Sequence, residues 1–174
     1  MSVDMWKMTP NVTHRPSLRL IVAGAFAPGA LPVVSNAQVT HEIKMLNDDP
    51  SQEYRYMVFS SKVVVTNSGD TVILRAANRG HITASSWNML PEGVTEWAVG
   101  IDKEVALTLT VPSFYGYTCI PHADLGMAGL IVVRGEGRNN NLERAQSTPQ
   151  FEDSIVIWQE NWKEVAALSL DGRS

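Results

Sequence analysis

Cys119, His122 and Met127 follow one another as Cys-x2-His-x4-Met, on a short loop between two runs of strand character at residues 114–118 and 128–134. A thiolate, an imidazole and a thioether on so short a loop can be aimed at one point. One further histidine would complete a trigonal His2Cys plane with a long, weak axial methionine. That is the donor set of a blue-copper electron-transfer site. His81 is the candidate for the missing place. His41, near the start of a first strand, reads as a partly exposed surface residue. Cys119 is the sole cysteine, so no intramolecular disulfide framework exists.

The elements that must position these side chains are short and separated by turn signals. Residues 41–46 alternate as a first strand and end at Asn47-Asp48-Asp49-Pro50. Residues 54–66 are rich in β-branched and aromatic types and read as two short strands with a kink at Ser60-Ser61. Asn67-Ser68-Gly69-Asp70 is a turn by composition. Residues 71–76 then form a buried strand, and Asn78-Arg79-Gly80 turns the chain just before His81. Residues 82–87 are a further short strand, broken by Pro91-Glu92-Gly93. Residues 104–111 place Val105, Leu107, Leu109 and Val111 at alternate positions, the period of a half-buried strand. Runs 114–118 and 130–133 flank the Cys-His-Met loop. Seven or eight such strands predict an all-β sandwich.

After Gly137 the pattern changes. Asn139-Asn140-Asn141 offers an N-cap for a short helix over residues 142–146. A longer helix is expected over residues 150–169, with Pro149 at its start and Gly172 near its end. Its apolar face would be Ile155, Trp158, Trp162 and Val165, spaced by 3, 4 and 3. The two tryptophans bury that helix against the sandwich rather than relaying electrons.

Residues 1–37 have the layout of an export leader. The cations Lys7, Arg15 and Arg19 precede an apolar run at 20–34, and Ser35-Asn36-Ala37 has small residues at its first and third places. Cleavage is expected after Ala37. The run holds Pro28 and Pro32 and falls short of the about 20 residues a bilayer span takes, so no membrane anchor is expected. Three of the 14 Lys and Arg and one of the 18 Asp and Glu precede the cut, leaving 11 against 17, a net −6. With a sequence pI near 5.5 there is no basic footprint for nucleic acid. In an oxidising compartment an unpaired thiol calls for an occupant, and a metal would supply one. The organisation expected is therefore a leader over 1–37, a copper-binding domain over 38–137 and a helical extension over 138–174.

Several stretches resemble the cupredoxins, and among them the pseudoazurins. Gly69-Asp70-Thr71-Val72 leading to Gly80-His81 is similar to the family's strand into its first ligand. Met89-Leu90-Pro91-Glu92-Gly93 resembles its Met-Ile-Pro-Asp-Gly turn, and Tyr115-Gly116-Tyr117-Thr118-Cys119-Ile120-Pro121-His122 its Tyr-Gly-x-Lys-Cys-Thr-Pro-His run. The 38-residue interval from His81 to Cys119 and the two-helix tail also match, so the similarity runs from about Glu42 to Leu168. It implies a Greek-key β-sandwich holding one type 1 copper ion. His81, Cys119 and His122 would lie in the equatorial plane, with Met127 axial.

The resemblance further implies a monomeric periplasmic carrier. It would pass single electrons between c-type cytochromes and a nitrite or nitrous-oxide reductase through the edge of His122. Pro121, Leu125, Leu90 and Pro91 would form an apolar contact patch, and Met57 matches a methionine that packs near the copper-site histidine. Three features depart from the pattern. Ile82 replaces an asparagine that ties the ligand loops together, and Ile120 replaces a hydroxyl residue. Thr118 and Asp124 stand where the docking face is usually basic, although Arg79 keeps one cation. A copper storage or delivery protein would use the same ligands. A cysteine nucleophile with a histidine base would need no methionine at this spacing, so an enzyme is not expected.

Overall fold

The computed structural model describes residues 37–150, 154–168 and 170. The expected leader, apart from Ala37, and Gly172 lie outside the described residues.

Among the described residues, eight strands form two four-stranded sheets. They are β1 (Thr40–Asp48), β2 (Tyr56–Phe59), β3 (Val63–Asn67), β4 (Thr71–Ala76), β5 (Thr83–Ser85), β6 (Val105–Thr108), β7 (Ser113–Cys119) and β8 (Ala128–Arg134). One sheet has the order β2-β1-β4-β6 and the other β3-β8-β7-β5. β1 runs parallel to β4 and β3 parallel to β8, while the remaining pairs are antiparallel. The all-β sandwich expected from the turn spacing is the architecture found. The kink at residues 60–61 separates β2 from β3. β1 continues through Asp48, two residues past the strand end expected at Leu46, because its end pairs with Tyr56 of β2.

Side-chain alternation explains which face each strand buries. Ile43 and Met45 of β1 and Val72 and Leu74 of β4 meet Tyr115, Tyr117, Ile131 and Val133 between the sheets. Cys119 and Met127 belong to this same core. The opposite face of the second sheet is also covered. Phe114, Leu130 and Val132 pack there against Ala145, Trp158 and Val165 of the tail. With both faces covered, β7 and β8 read as continuous apolar runs rather than alternating ones.

The tail contains α1 (Leu142–Ser147) and α2 (Ser154–Ala167). Three expectations about it change. Asn141 precedes α1 but makes no side-chain cap. Its amide instead accepts from Phe114 N–H at 3.2 Å and donates to Phe114 C=O at 2.7 Å, tying the tail to the first residues of β7. Gln150, the first residue expected in the longer helix, is not helical, and α2 is described from Ser154 onward. Its buried face is Ser154, Trp158, Asn161 and Val165, while Ile155 is exposed. Asn161 can face inward because its Nδ2 donates to Ala128 C=O at 3.4 Å. That shifts the buried stripe to one side and leaves Ile155 on the outer flank. Trp162 is half-buried, with its ring edge-on to Phe114 at 5.4 Å.

Candidate metal centre

Cys119 is the last residue of β7, and its Cα partner across the sheet is Thr83 at the start of β5. His81 therefore arrives two residues before the strand that pairs with the cysteine. Between them Ile120 N–H donates to Ile82 C=O at 2.9 Å. The loops that an asparagine side chain would have joined at position 82 are joined here by backbone. The Cys-His-Met loop closes on itself in the same way. Cys119 N–H donates to Met127 C=O at 2.9 Å, and Met127 N–H to His122 C=O at 3.1 Å. The Thr118 hydroxyl adds a bond to Met127 C=O at 3.0 Å. Pro121 lies in the 3-10 turn Ile120–His122, where its ring fixes φ and costs no donor that the turn would need.

These constraints bring three donor atoms together. One donor atom from each of His81, Cys119 and His122 lies within 4.8 Å of the other two. Cys119 Sγ is 3.5 Å from His81 Nδ1 and 3.4 Å from His122 Nδ1. The imidazole centroids are 5.1 Å apart at an interplanar angle of 66°. His81 and Cys119 are wholly buried and Met127 is 1% exposed, whereas His122 is only partly buried.

The outer face of His81 is held as firmly as its inner face. Its Nε2 meets Asn47 Oδ1 at 2.9 Å. An amide oxygen only accepts, so Nε2 carries the proton and the Nδ1 lone pair points at the sulfur. Asn47 is itself fixed by its N–H, which donates to Asn78 Oδ1 at 2.9 Å. On the backbone side, Asp102 Oδ1 accepts from Gly80 N–H at 2.7 Å and His81 N–H at 3.1 Å. Asp102 N–H returns a bond to His81 C=O at 2.7 Å. Neither residue was singled out from the sequence. Asn47 reads as a turn former, and no local signal links it to a histidine 34 positions away. Asp102 sits in an unremarked Gly100-Ile101-Asp102 turn.

Electrostatics favour the neutral forms of His81 and Cys119. Burial lowers the His81 pKa, the neighbouring His122 lowers it further, and Asp102 opposes both. Burial raises the Cys119 thiol, opposed by backbone bonds from Ile82 and His122. A thiol has one proton and cannot donate to both imidazoles. Two inward Nδ1 atoms around one sulfur are better satisfied by a soft cation. Tetrahedral to trigonal bonds of about 2.0 Å to nitrogen and about 2.3 Å to sulfur give edges of about 3.5–3.7 Å, close to the Sγ···Nδ1 distances here. The site residues thus fit copper in chemistry and in size.

Two other expected positions behave differently. Leu90 and Pro91 are buried and do not join Pro121 and Leu125 on an exposed patch. Pro91 lines a cavity with Val111, Pro112 and Ser113 at the start of β7, six residues or about 20 Å along the strand from Cys119. Met57 is half-buried against the core that contains Cys119 and Met127, in a left-handed conformation at φ 51°. His41 stands apart from the cluster, its Nε2 3.4 Å from Asp70 Oδ2.

Comparison with known proteins agrees with this geometry. The description of the copper-binding proteins of the plastocyanin/azurin family matches residues 43–134. The pseudoazurin of Paracoccus pantotrophus is 32% identical over 111 residues, which cover 64% of this chain and 74% of that protein. The pseudoazurin of Methylorubrum extorquens is 30% identical over 128 residues, covering 74% and 83%. Among solved structures, a Sinorhizobium pseudoazurin superposes with a TM-score of 0.69 at 32% identity, covering 75% of this chain and 98% of its own.

Proposed function

The chain belongs to the copper-binding plastocyanin/azurin family, and from that premise we propose that it is a pseudoazurin-like blue copper electron carrier, with His81, Cys119 and His122 as equatorial ligands and Met127 as the axial one. The observation that carries the ligand assignment is the single sulfur flanked by two inward imidazole Nδ1 atoms at 3.4 and 3.5 Å. Copper held by these residues would supply a one-electron Cu(II)/Cu(I) couple. The protein's part is to hold, orient and exclude water.

Each residue has a definable task in this reading. Cys119 is buried and its thiol pKa is raised, so the charge of a bound metal would be what favours its thiolate. The same burial disfavours a nucleophilic role. Asn47 and Asp102 hold His81 from outside the site, while the Cys119–Met127 and Met127–His122 backbone bonds hold the loop. Ligands set on strand ends by several bonds move little when charge changes, which keeps the cost of each transfer low. Met127 and the core close the inner side, and the partly exposed ring of His122 is the port through which electrons pass.

Periplasmic location, cleavage after Ala37 and a monomeric state belong to the same proposal, with the copper-binding domain over 38–137 and the helical extension over 138–174. The first residues past Ala37 support that cut. Gln38 Nε2 donates to Gly69 C=O at 2.8 Å, Val39 N–H to Asp70 Oδ1 at 2.9 Å, and Thr71 N–H to Val39 C=O at 2.9 Å. The fold is therefore stitched from residue 38 onward. Among the described residues no helix is long and apolar enough to cross a membrane. Donors and acceptors would be c-type cytochromes and a nitrite or nitrous-oxide reductase. The test is to add Cu(II) to the copper-free protein. An intense blue colour that is lost in Cys119→Ser, with fast electron self-exchange, is the expected result. Stable copper binding with slow exchange would favour storage or delivery instead.

A further inference from the structure

Gly80 and His81 reach the metal centre on a turn, outside any strand, because β5 begins only at Thr83. Their two N–H groups are answered by a single oxygen. Asp102 Oδ1 accepts from Gly80 N–H at 2.7 Å and from His81 N–H at 3.1 Å. An asparagine oxygen could accept the same two bonds, and asparagine also tolerates the left-handed backbone of this position, φ 58°. The carboxylate adds what those bonds do not need, a full negative charge. On its ring side the same histidine meets a neutral amide oxygen, Asn47 Oδ1.

That charge is held in place and is not cancelled by a cation. Val99 N–H donates to Thr83 C=O at 3.1 Å, Asp102 N–H to His81 C=O at 2.7 Å and Lys103 N–H to Gly100 C=O at 3.1 Å, which clips the loop against the start of β5. Glu104, two positions on, is paired with Arg75 at 2.6 Å. Among the described residues no lysine or arginine forms an ion pair with Asp102. Its field reaches the ligand ring. Burial lowers the His81 pKa, His122 lowers it further, and Asp102 acts against both. With Cys119 as thiolate, a Cu(I) site is neutral and a Cu(II) site carries one positive charge. A fixed anion beside it therefore favours the oxidised form.

We propose that Asp102 is a positioning residue whose negative charge, bonded onto the backbone of the ligand His81, sets the reduction potential of the site lower than a neutral acceptor would. The proposal rests on the electron-carrier reading above. Its consequence is that the reduced protein gives up its electron more readily. The Asp102 side chain is exposed, so water screens part of its field. At an effective dielectric between about 20 and about 80, and within a Debye length of about 10 Å at 0.1 M salt, the oxidised-to-reduced balance shifts about twofold to tenfold.

The test compares the copper-loaded parent with Asp102→Asn and Glu92→Gln at about 0.1 M salt. Glu92 is an exposed carboxylate beside the start of β7, so its replacement makes the same change in net charge far from the metal. Asp102→Asn should keep the blue absorption and raise the potential by about 18–59 mV, which is twofold to tenfold at 59 mV per decade for one electron. Competition against chelators should show Cu(II) affinity falling by the same factor. Cu(I) affinity should stay within about twofold, because the copper-free thiol and the Cu(I) thiolate site are both neutral. Glu92→Gln should stay within about 18 mV of the parent. A rise of less than about 18 mV in Asp102→Asn overturns the proposal. An equal loss of affinity for both ions also overturns it, since that marks a merely structural bond, as does a Glu92→Gln shift as large as that of Asp102→Asn. If Asp102→Asn does not fold, Asp102→Gly, which adopts a positive φ freely, is held to the same limit on the potential. A parent protein that binds copper without a blue band refutes the carrier reading, which is a different result.

Discussion

Gly129 on β8 sits where the two halves of the second sheet's inner packing come closest, and its replacement by alanine should be severely destabilising. The new Cβ would lie 2.3 Å from both Cζ and Oη of Tyr117 and 2.8 Å from the carbonyl oxygen of Lys62. Ordinary contacts begin about an ångström further out. Tyr117 cannot retreat. It is wholly buried, its ring meets Phe59 edge-on at 4.7 Å, and its hydroxyl donates to Ser61 C=O at 2.8 Å. The backbone cannot give either, because Lys62 C=O accepts from Leu130 N–H at 2.7 Å within the β3–β8 pairing. Overpacking of a rigid core costs about 1–3 kcal/mol. Displacing the tyrosine hydroxyl from the Ser61 carbonyl adds about 1–3 kcal/mol. Together these give a loss of about 2–6 kcal/mol, or about 5–25 °C in melting temperature for a domain of this size. The assay is denaturant or thermal unfolding of the copper-free protein, with the double variant Gly129→Ala/Tyr117→Val recovering part of the loss by emptying the space. A Gly129→Ala protein within about 1 kcal/mol of its parent would refute the claim that this close approach is rigid.

Three further outcomes follow from particular bonds. Asn47→Leu removes the acceptor that fixes the His81 ring and should weaken copper affinity about 10–100-fold, read by competition against a Cu(I) chelator. Asn141→Ala opens a two-bond bridge to Phe114 and should cost about 2–4 kcal/mol, measured by urea unfolding, with little change in the copper spectrum. The Asp70 carboxylate accepts from Asn67 N–H and Val39 N–H and is held below the usual carboxylate range. The folded protein therefore binds this proton less readily than the unfolded chain. The contribution is complete above about pH 4 and is lost as pH falls through the lower folded value. Unfolding midpoints between pH 7 and pH 3 should drop more in the parent than in Asp70→Asn, and an equal drop would contradict it.

The donor set was legible because soft ligand types at Cys-x2-His-x4-Met spacing have few other uses, and strand alternation placed the elements around them. The sandwich was legible for a similar reason, since β-branched runs between turn formers leave few alternatives. What escaped was set by long-range contacts. Asn47 is a turn residue by local chemistry, and only the pairing of β1 with β4 places it against His81. Asn141 looked like a helix cap because its sequence neighbours are helical, yet β7 offered it two backbone groups. Ile155 fits the apolar period of α2 as well as Trp158 does, and the inward Asn161 decides which flank is buried. Leu90 and Pro91 were placed beside His122 by analogy of motif, whereas Met89 packs against Gly116 and carries its neighbours toward the far end of β7. At position 82 the backbone supplies the loop tie that a side chain would have given, a substitution invisible to residue type.

The central claim is that one metal is held by His81, Cys119, His122 and Met127. X-ray absorption at the copper edge of the loaded protein tests it most directly. The account predicts one short bond to sulfur, two bonds to imidazole nitrogen and a second, longer sulfur contact that disappears in Met127→Leu. A first shell of nitrogen and oxygen alone, with no short sulfur bond, would contradict it.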